Sequence, residues 1–121
     1  MNNKKFRVWD SKEKKFDYFE LWNITVSDYK LAYESLYQFI GILDKNMREI
    51  YERDVVKFFT LNGEELGEVI YSTDSCAYYI NDYPIMNLDL ASLQIVGNMV
   101  EDYMWDESGE KLVKIHEDTN S

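Results

Sequence analysis

The chain has little of what most metal, cofactor and disulfide sites require. Its 121 residues include one cysteine and one histidine. Cys76 therefore has no partner for an intramolecular disulfide, and one chain cannot supply four Cys or His ligands for a structural zinc. The five glycines are scattered and never form a glycine-rich loop that could hold a phosphate. The sequence thus predicts no metal site and no cofactor.

The residues that could act in catalysis have no suitable neighbours in the sequence. His116 has no Ser or Cys beside it, and Cys76 lies in the apolar run "CAYYI", which is typical of a small core residue. The 23 carboxylates give many close pairs by chance, so their spacing identifies no acid–base pair. The segment that begins at Asp44 is not a calcium loop, because Glu49 and Val55 occupy the positions that need Gly and Glu. We expect a protein without enzymatic activity.

Long apolar runs are also missing. A bilayer-spanning helix needs about 20 apolar residues, and no apolar run in the sequence approaches that length. The first residues, "MNNKKFRVWDSKEKKF", are basic but lack the apolar segment of a secretory signal. These features predict a cytoplasmic protein with no membrane contact.

Charge is plentiful but unevenly placed. Residues 1–15 hold six basic and two acidic residues, a balance of +4, whereas the remainder holds seven basic and 21 acidic residues, a balance of −14, giving the net −10. Phosphate backbones bind basic surfaces, so the main body is a poor nucleic-acid binder. The excess of negative charge either keeps the protein soluble or presents an acidic surface to a basic partner.

Short runs of β-branched and aromatic residues predict strands in the first part of the chain. "KFRVW" (5–9) alternates, with Phe6 and Val8 on one side and Arg7 and Trp9 on the other. A polar turn over 10–14 and the extended "KFDYFELW" (15–22) complete a predicted hairpin. A short helix is predicted near residues 28–36, although a strand at "LYQFIGIL" could follow directly.

The second part of the chain predicts an antiparallel meander. "DVVKFF", the tight-turn dipeptide Asn62-Gly63, "EVIYST" and "CAYYIND" follow one another closely. "LQIVGNMV" (93–100) reads as a last strand, with a bulge or bend at Gly97-Asn98. The segment "KLVKIHE" alternates well enough for either an added edge strand or a helix.

Three segments resemble the YopX family of phage and prophage proteins. They are "KFRVWD" (5–10), "YQFIGILDKNMREIYERDVVKF" (37–58) and "LQIVGNMVED" (93–102). The resemblance implies a mainly β fold, a small antiparallel barrel of the Src-homology-3-like type, with at most one or two short helices. It also implies a phage or prophage setting in a bacterial cell and no assigned catalytic activity.

The chain departs from the family pattern at two turns. Met47 and Arg53 stand where the family has glycine, and a non-glycine residue with positive φ costs about 1 kcal/mol or more. We therefore predict that Asn46 takes the left-handed conformation, or that the turn has changed type. Helical dihedral angles at residues 46, 47 and 53 would contradict the strand–turn interpretation.

The sequence leads to a set of specific expectations. Residues 1–105 form the YopX-like β domain, and residues 106–121 form an acidic C-terminal extension that is partly ordered. The predicted core consists of Phe6, Val8, Phe39, Ile42, Ile50, Val55, Val56, Phe58, Val69, Tyr71, Ile95 and Val96. The predicted partner-binding residues are Tyr71, Tyr78, Tyr79, Tyr83, Met47 and Arg53.

Two function hypotheses remain open from the sequence. The first is a small acidic interaction protein that binds a host or phage protein, with inhibition of that partner as one form of the activity. The second is a nucleic-acid-associated protein that uses the basic N-terminal residues Lys4, Lys5, Arg7, Lys12, Lys14 and Lys15. Exposed strand edges and aromatic surface also leave self-association open.

Overall fold

The protein is built mainly from antiparallel β-strands. The computed structural model describes residues 5–20 and 36–115. A four-stranded sheet has the strand order β2-β1-β3-β4. Its strands are β1 (Lys5–Asp10), β2 (Lys15–Glu20), β3 (Leu36–Leu43) and β4 (Glu49–Tyr51).

A second sheet of five strands has the order β8-β7-β6-β5-β9 and curls into a half-barrel. Its strands are β5 (Asp54–Thr60), β6 (Gly63–Ser72), β7 (Ala77–Ile80), β8 (Tyr83–Pro84) and β9 (Gln94–Asn98). Two 3₁₀ turns, Ile85–Asn87 and Leu90–Ser92, connect β8 to β9. The predicted mainly β, antiparallel fold is confirmed. The predicted helix near 28–36 falls on residues outside the described ranges, except for Leu36, which begins β3.

The main core lies on the concave face of the five-stranded sheet. Seven residues there are nearly inaccessible to solvent, and they come from β4, β5, β6, β7 and the connection between β8 and β9: Ile50, Val56, Phe58, Val69, Ile80, Ile85 and Leu93. Ile40 and Ile42 of β3 pack against this cluster, which joins the two sheets. Val55 is also fully buried, on the opposite face of β5.

The predicted core is largely confirmed but wrong at one residue. Ile50, Val55, Val56, Phe58 and Val69 are buried as predicted. The other predicted residues except Tyr71 are partly buried: Phe6, Val8, Phe39, Ile42, Ile95 and Val96. Tyr71 is 44% exposed, because it lies at the end of β6, beyond the apolar cluster, where its ring meets the edge of Tyr78.

The turn between β3 and β4 places the left-handed conformation at Met47 (φ 65°). The backbone N–H of Met47 donates to the Asp44 carbonyl (2.9 Å), and the Asp44 N–H donates to the Arg48 carbonyl (2.8 Å). This is a three-residue hairpin loop, in which the last loop residue is left-handed. The expectation that Asn46 would carry this conformation is therefore wrong, because Asn46 occupies the preceding position of the turn.

The turn between β4 and β5 places Arg53 in the same region of φ (77°). Its backbone N–H donates to the Val69 carbonyl (3.0 Å), and its carbonyl accepts from the Met99 N–H (2.7 Å). Met47 and Arg53, the two positions at which the resemblance implies glycine, therefore both have positive φ with a larger residue in place. The strand–turn interpretation of residues 44–58 is confirmed.

The C-terminal segment forms a hairpin against the convex face of the five-stranded sheet. Strands β10 (Tyr103–Trp105) and β11 (Leu112–Lys114) pair antiparallel, so "KLVKIHE" supplies a strand over its described part and not a helix. Tyr103 is buried, and it lies so close to Gly97 that a Cβ there would come within 2.9 Å of its ring. The predicted domain boundary after residue 105 falls between the two strands of this hairpin.

The predicted irregularity near Gly97 is confirmed. Val56 pairs with Ile95 and Val55 pairs with Gly97, so the register between β5 and β9 shifts by one residue. Such a shift is a β-bulge, which bends the strand that contains the extra residue. The bulge lies beside Tyr103 and therefore at the place where the C-terminal hairpin meets the sheet.

Candidate functional site

The six predicted partner-binding residues do not form one surface. Tyr79 lies directly opposite Ile70 on the convex face of the five-stranded sheet, and its hydroxyl donates to Ser75 Oγ (3.0 Å). Tyr78 packs against the core on the opposite face, and Tyr83 meets Phe58 edge-on, with ring centroids 5.6 Å apart. Two of the tyrosines therefore serve the core.

Tyr71 and Tyr78 form a cross-strand pair at the end of the meander. Their ring centroids are 5.1 Å apart and the rings meet edge-to-face at 69°, which is one of the two arrangements that aromatic pairs prefer. Burial, together with the negative charge of Glu52 and the neighbouring Tyr71, raises the pKa of Tyr78 to about 12. Both hydroxyls stay protonated at neutral pH, since burial also raises the pKa of Tyr71.

Met47 and Arg53 have different surroundings. Met47 is 74% exposed in the β3–β4 turn. Arg53 Nη1 donates to Glu68 Oε2 (2.7 Å), and the other Glu68 oxygen accepts from the Trp105 indole N–H (2.9 Å). Arg53 thus acts through Glu68 on the C-terminal hairpin.

A groove lies between the five-stranded sheet and this hairpin. It encloses about 580 Å³, and its lining includes Ile70, Trp105 and three carboxylates, Glu68, Asp82 and Glu110. Glu68 is committed to Arg53 and Trp105, whereas Asp82 and Glu110 are exposed. The groove therefore combines an indole ring with negative charge at its rim, a combination that suits a cationic side chain.

A buried ion pair joins β1 of the four-stranded sheet to the start of β5 in the five-stranded sheet. Arg7 Nη2 donates to Asp54 Oδ1 (2.8 Å), and the two residues are 4% and 2% exposed. Asp54 Oδ2 accepts from the Tyr51 backbone N–H (2.8 Å). Burial raises the pKa of Asp54, although the positive charge of Arg7 and these hydrogen bonds act in the opposite direction.

Aromatic rings surround the Arg7 guanidinium. It lies 4.1 Å from the Phe16 ring centroid and 5.0 Å from that of Tyr51. Tyr18 contacts Tyr51 edge-on, with centroids 5.4 Å apart, and is itself 60% exposed. These residues share one face because the β1–β2 register pairs Arg7 with Tyr18.

A second cavity, of about 460 Å³, opens next to this arginine. Arg7, Tyr18, Glu49, Tyr51 and Asp54 line one side. Arg48 and the edge strand β9, over residues 95–98, line the other. The cavity therefore lies between the edge strands of the two sheets, β4 and β9.

Comparison with known proteins identifies the family. A family model described as YopX protein matches residues 24–103, which is well over half of the chain. The chain belongs to the YopX family. No curated protein matches it.

The YopX match divides both candidate sites. Arg7 and Tyr18 precede the matched residues, whereas Arg48, Tyr51 and Asp54 lie inside them. The acidic groove is divided in the same way, because Trp105 and Glu110 follow residue 103. Each site thus combines a YopX-matched wall with residues from outside the match.

The basic N-terminal segment of this YopX chain is partly engaged within the fold. Arg7 is buried, and Lys5 forms an ion pair with Glu49. Lys12, Lys14 and Lys15 are exposed around the β1–β2 turn, and Lys4 lies outside the described residues. The expectation that Arg7 belongs to an accessible basic arm is wrong, because Asp54 pairs with it in the interior.

Two further observations concern residues 5–20 and 36–115. No group of three or more His, Cys, Asp and Glu side chains in these ranges is arranged to hold a metal ion. No helix in the same part of the chain has the length and hydropathy needed to cross a bilayer.

Of the two residues first considered for catalysis, His116 lies outside the described residues. Cys76 is exposed in the β6–β7 turn, so the interpretation of Cys76 as a core residue is wrong.

The sequence contained an incomplete signal for the Arg7 site. Strand alternation predicts that Arg7 and Trp9 share a side of β1 and that Phe16 and Tyr18 share a side of β2. What it could not supply is Asp54, which is 47 residues from Arg7. The groove at Trp105 depends on a similarly distant residue, because Glu68, which accepts from the indole, is 37 residues from Trp105 in the sequence.

Proposed function

We propose that this YopX protein is encoded by a phage or prophage. It acts in the bacterial cytoplasm as a small, acidic, non-enzymatic interaction protein. It binds a host or phage protein, and inhibition follows where the bound surface is one that the partner needs. The observation that carries this proposal is the acidic groove between the five-stranded sheet and the C-terminal hairpin.

The groove favours a basic side chain of the partner. A Lys or Arg side chain placed over Trp105 gains a cation–π contact, and the exposed Asp82 and Glu110 offer two carboxylates. Ile70, 40% exposed beside Trp105, adds apolar contact area. Because the whole chain carries a net charge of −10, long-range attraction to a basic partner increases the rate of association.

The test is capture of a partner from the lysate of a bacterial host, compared between two charge-matched variants. Asp82→Lys combined with Glu110→Lys reverses the charge of the groove, whereas Glu13→Lys combined with Asp74→Lys makes the same change on exposed turns elsewhere. We expect the groove variant to lose the captured protein and the control variant to keep it. Equal retention by both variants, or no protein retained at physiological salt by the unmodified chain, contradicts the proposal.

Nucleic-acid association remains the alternative, but two of its basic residues in the described part of the chain are engaged within the fold: Arg7 is buried and Lys5 pairs with Glu49. Among the described residues of the N-terminal segment, from residue 5 onward, the exposed cations are Lys12, Lys14 and Lys15. Lys15 lies 3.8 Å from the carboxylate of Asp17. A gel-shift assay with single- and double-stranded DNA at low and moderate salt separates the two hypotheses. A shift that persists at moderate salt and disappears when the three lysines are changed to glutamine would favour the alternative.

A further inference from the structure

Three polar side chains that line the acidic groove are already satisfied within the fold. The Asn81 amide accepts through Oδ1 from the Glu68 backbone N–H (3.2 Å) and donates through Nδ2 to the Leu66 carbonyl (3.0 Å). The carboxylate of Glu68 accepts from Arg53 and from the indole N–H of Trp105. These groups are therefore not available to a partner.

The remaining polar side chains of the groove are two exposed carboxylates, one on each wall. Asp82 belongs to the five-stranded sheet, in the turn between β7 and β8, and Glu110 belongs to the C-terminal hairpin, in the turn between β10 and β11. Neither forms an ion pair with another residue of the ranges 5–20 and 36–115. Because carboxylates only accept hydrogen bonds, the groove requires a ligand that donates them.

Both carboxylates are carried by turns whose main chain is held in place. Asn81, which precedes Asp82, has positive φ (54°), and its backbone N–H donates to the Glu68 carbonyl (3.2 Å). On the hairpin, Asp106 Oδ1 accepts from the Glu110 backbone N–H (3.1 Å). The main chain thus holds the two acceptors on opposite walls before a partner binds, which reduces the entropic cost of binding.

The indole of Trp105 adds an apolar ring to these acceptors. Its N–H donates to Glu68 Oε1 (2.9 Å), so one edge of the ring is anchored. A cation that lies over an indole gains a cation–π contact, and Ile70, 40% exposed, can cover the aliphatic stem of the same side chain. The three carboxylates that line the groove, all among the described residues, are not arranged to hold a metal ion. The groove therefore fits an organic cation.

Arginine meets these requirements better than lysine. The guanidinium is planar and can stack on an aromatic ring, while its five N–H donors point outward in its own plane. Donors directed outward can reach carboxylates on both walls at once, and charge-assisted hydrogen bonds of this kind are the strong ones. An ammonium is a compact and strongly hydrated charge, so it loses more hydration on entering the groove.

We propose that the acidic groove binds an arginine side chain of the protein partner and discriminates against lysine. The guanidinium stacks on the indole of Trp105 and donates to Asp82 on one wall and to Glu110 on the other. This assignment rests on the proposed function above, since it specifies the residue through which the partner is recognised.

The test compares three capped, glycine-flanked peptides that differ only at the central residue, which is arginine, lysine or the uncharged arginine analogue citrulline. Binding is followed by the Trp105 indole N–H signal in ¹H–¹⁵N NMR, which is assigned by its loss in Trp105→Phe. We expect the arginine peptide to bind at least about threefold more tightly than the lysine peptide, and the citrulline peptide to leave the signal in place. Equal or tighter binding of the lysine peptide, equal binding of the citrulline peptide, or no binding of the arginine peptide overturns the assignment.

Neutral variants of the two carboxylates show whether both take part. Asp82→Asn and Glu110→Gln each keep the shape of the side chain and remove one charged acceptor. Glu107→Gln makes the same change at an exposed residue of the hairpin turn that does not line the groove. We expect each groove variant to weaken binding of the arginine peptide by about threefold or more and the control to leave it unchanged. If either groove variant binds as tightly as the unmodified chain, the contact with both walls is wrong.

The arginine assignment and the proposed function can fail separately. Equal binding of the arginine and lysine peptides removes the preference for arginine but leaves a groove that binds basic side chains, and thus the proposed function. Capture from lysate that does not depend on the charges of the groove contradicts the proposed function, whereas a preference measured with the peptides still holds.

Discussion

Met47 and Arg53 allow a quantitative test of how this chain forms its two tight turns. Both residues have positive φ, 65° and 77°, which costs an L-residue about 1–2 kcal/mol relative to glycine. A change to glycine removes this strain, but it also costs about 0.5–1 kcal/mol of stability, because glycine has more conformational freedom in the unfolded chain. We therefore expect each glycine variant to be more stable than the matched alanine variant by about 1 kcal/mol.

The two positions differ in what the side chain contributes. Met47 is 74% exposed, so Met47→Ala should be close to neutral and Met47→Gly should stabilise the protein by about 1 kcal/mol. Arg53→Ala removes a charge-assisted bond to Glu68, which is 6% exposed. Because Arg53 itself is partly exposed, we expect Arg53→Ala to lower the free energy of unfolding by about 1–2 kcal/mol. Arg53→Gly should regain about half of this loss, because glycine relieves the strain of positive φ.

Equilibrium unfolding in urea, followed by tryptophan fluorescence, measures these differences. With an m-value of about 2 kcal/mol/M, a change of 1 kcal/mol moves the midpoint by roughly 0.5 M. The m-values must stay constant for the comparison to report on stability. If glycine is no more stable than alanine at either position, the strain does not exist and the reasoning fails.

Three further predictions concern the buried polar groups. Arg7→Met or Asp54→Asn alone should lower the free energy of unfolding by about 3–5 kcal/mol, because each leaves a buried charge without its partner. In a double-mutant cycle measured by urea unfolding, the double variant should lose less stability than the sum of the two single variants. Burial raises the pKa of the Asp44 carboxyl, but the backbone N–H groups that bind it lower the pKa by more, to below its usual value. The resulting stabilisation is present above about pH 4 and disappears as the pH falls through the folded-state pKa. The difference in unfolding free energy between the wild type and Asp44→Asn should therefore shrink in unfolding curves measured from about pH 5 to pH 2. Trp105→Phe removes the indole donor from Glu68 and should cost about 1–2 kcal/mol in the same assay, and an unchanged midpoint would contradict the role assigned to this bond.

Strands with a local signal could be predicted from the sequence. The alternation of "KFRVW" and the dipeptide Asn62-Gly63 depend on neighbouring residues, and β1, β5 and β6 lie where these signals place them. For the β3–β4 turn, the sequence predicts the left-handed residue one position too early, at Asn46 instead of Met47. Asparagine is the better left-handed residue in general, but the hydrogen bonds of the Asp44 loop fix the position of positive φ regardless of residue type.

Contacts between distant parts of the chain could not be predicted in the same way. A lysine- and arginine-rich start suggests an accessible basic segment, and only the folded structure shows that Arg7 pairs with Asp54. Tyr71 is apolar enough for the core, but it lies past the end of the apolar cluster. In each case the outcome depends on which strands become neighbours and how far the packed region extends along them.

The bond from Arg53 to Glu68 has a consequence for how this chain relates to its family. Through Glu68, Arg53 positions the indole of Trp105, a residue that follows the YopX match. The β4–β5 turn inside the match and the C-terminal hairpin beyond residue 103 are thereby physically coupled. A glycine at position 53 would have no side chain to hold Glu68 in place. A change confined to this turn should therefore also loosen the hairpin at Trp105, about 50 residues further along the chain.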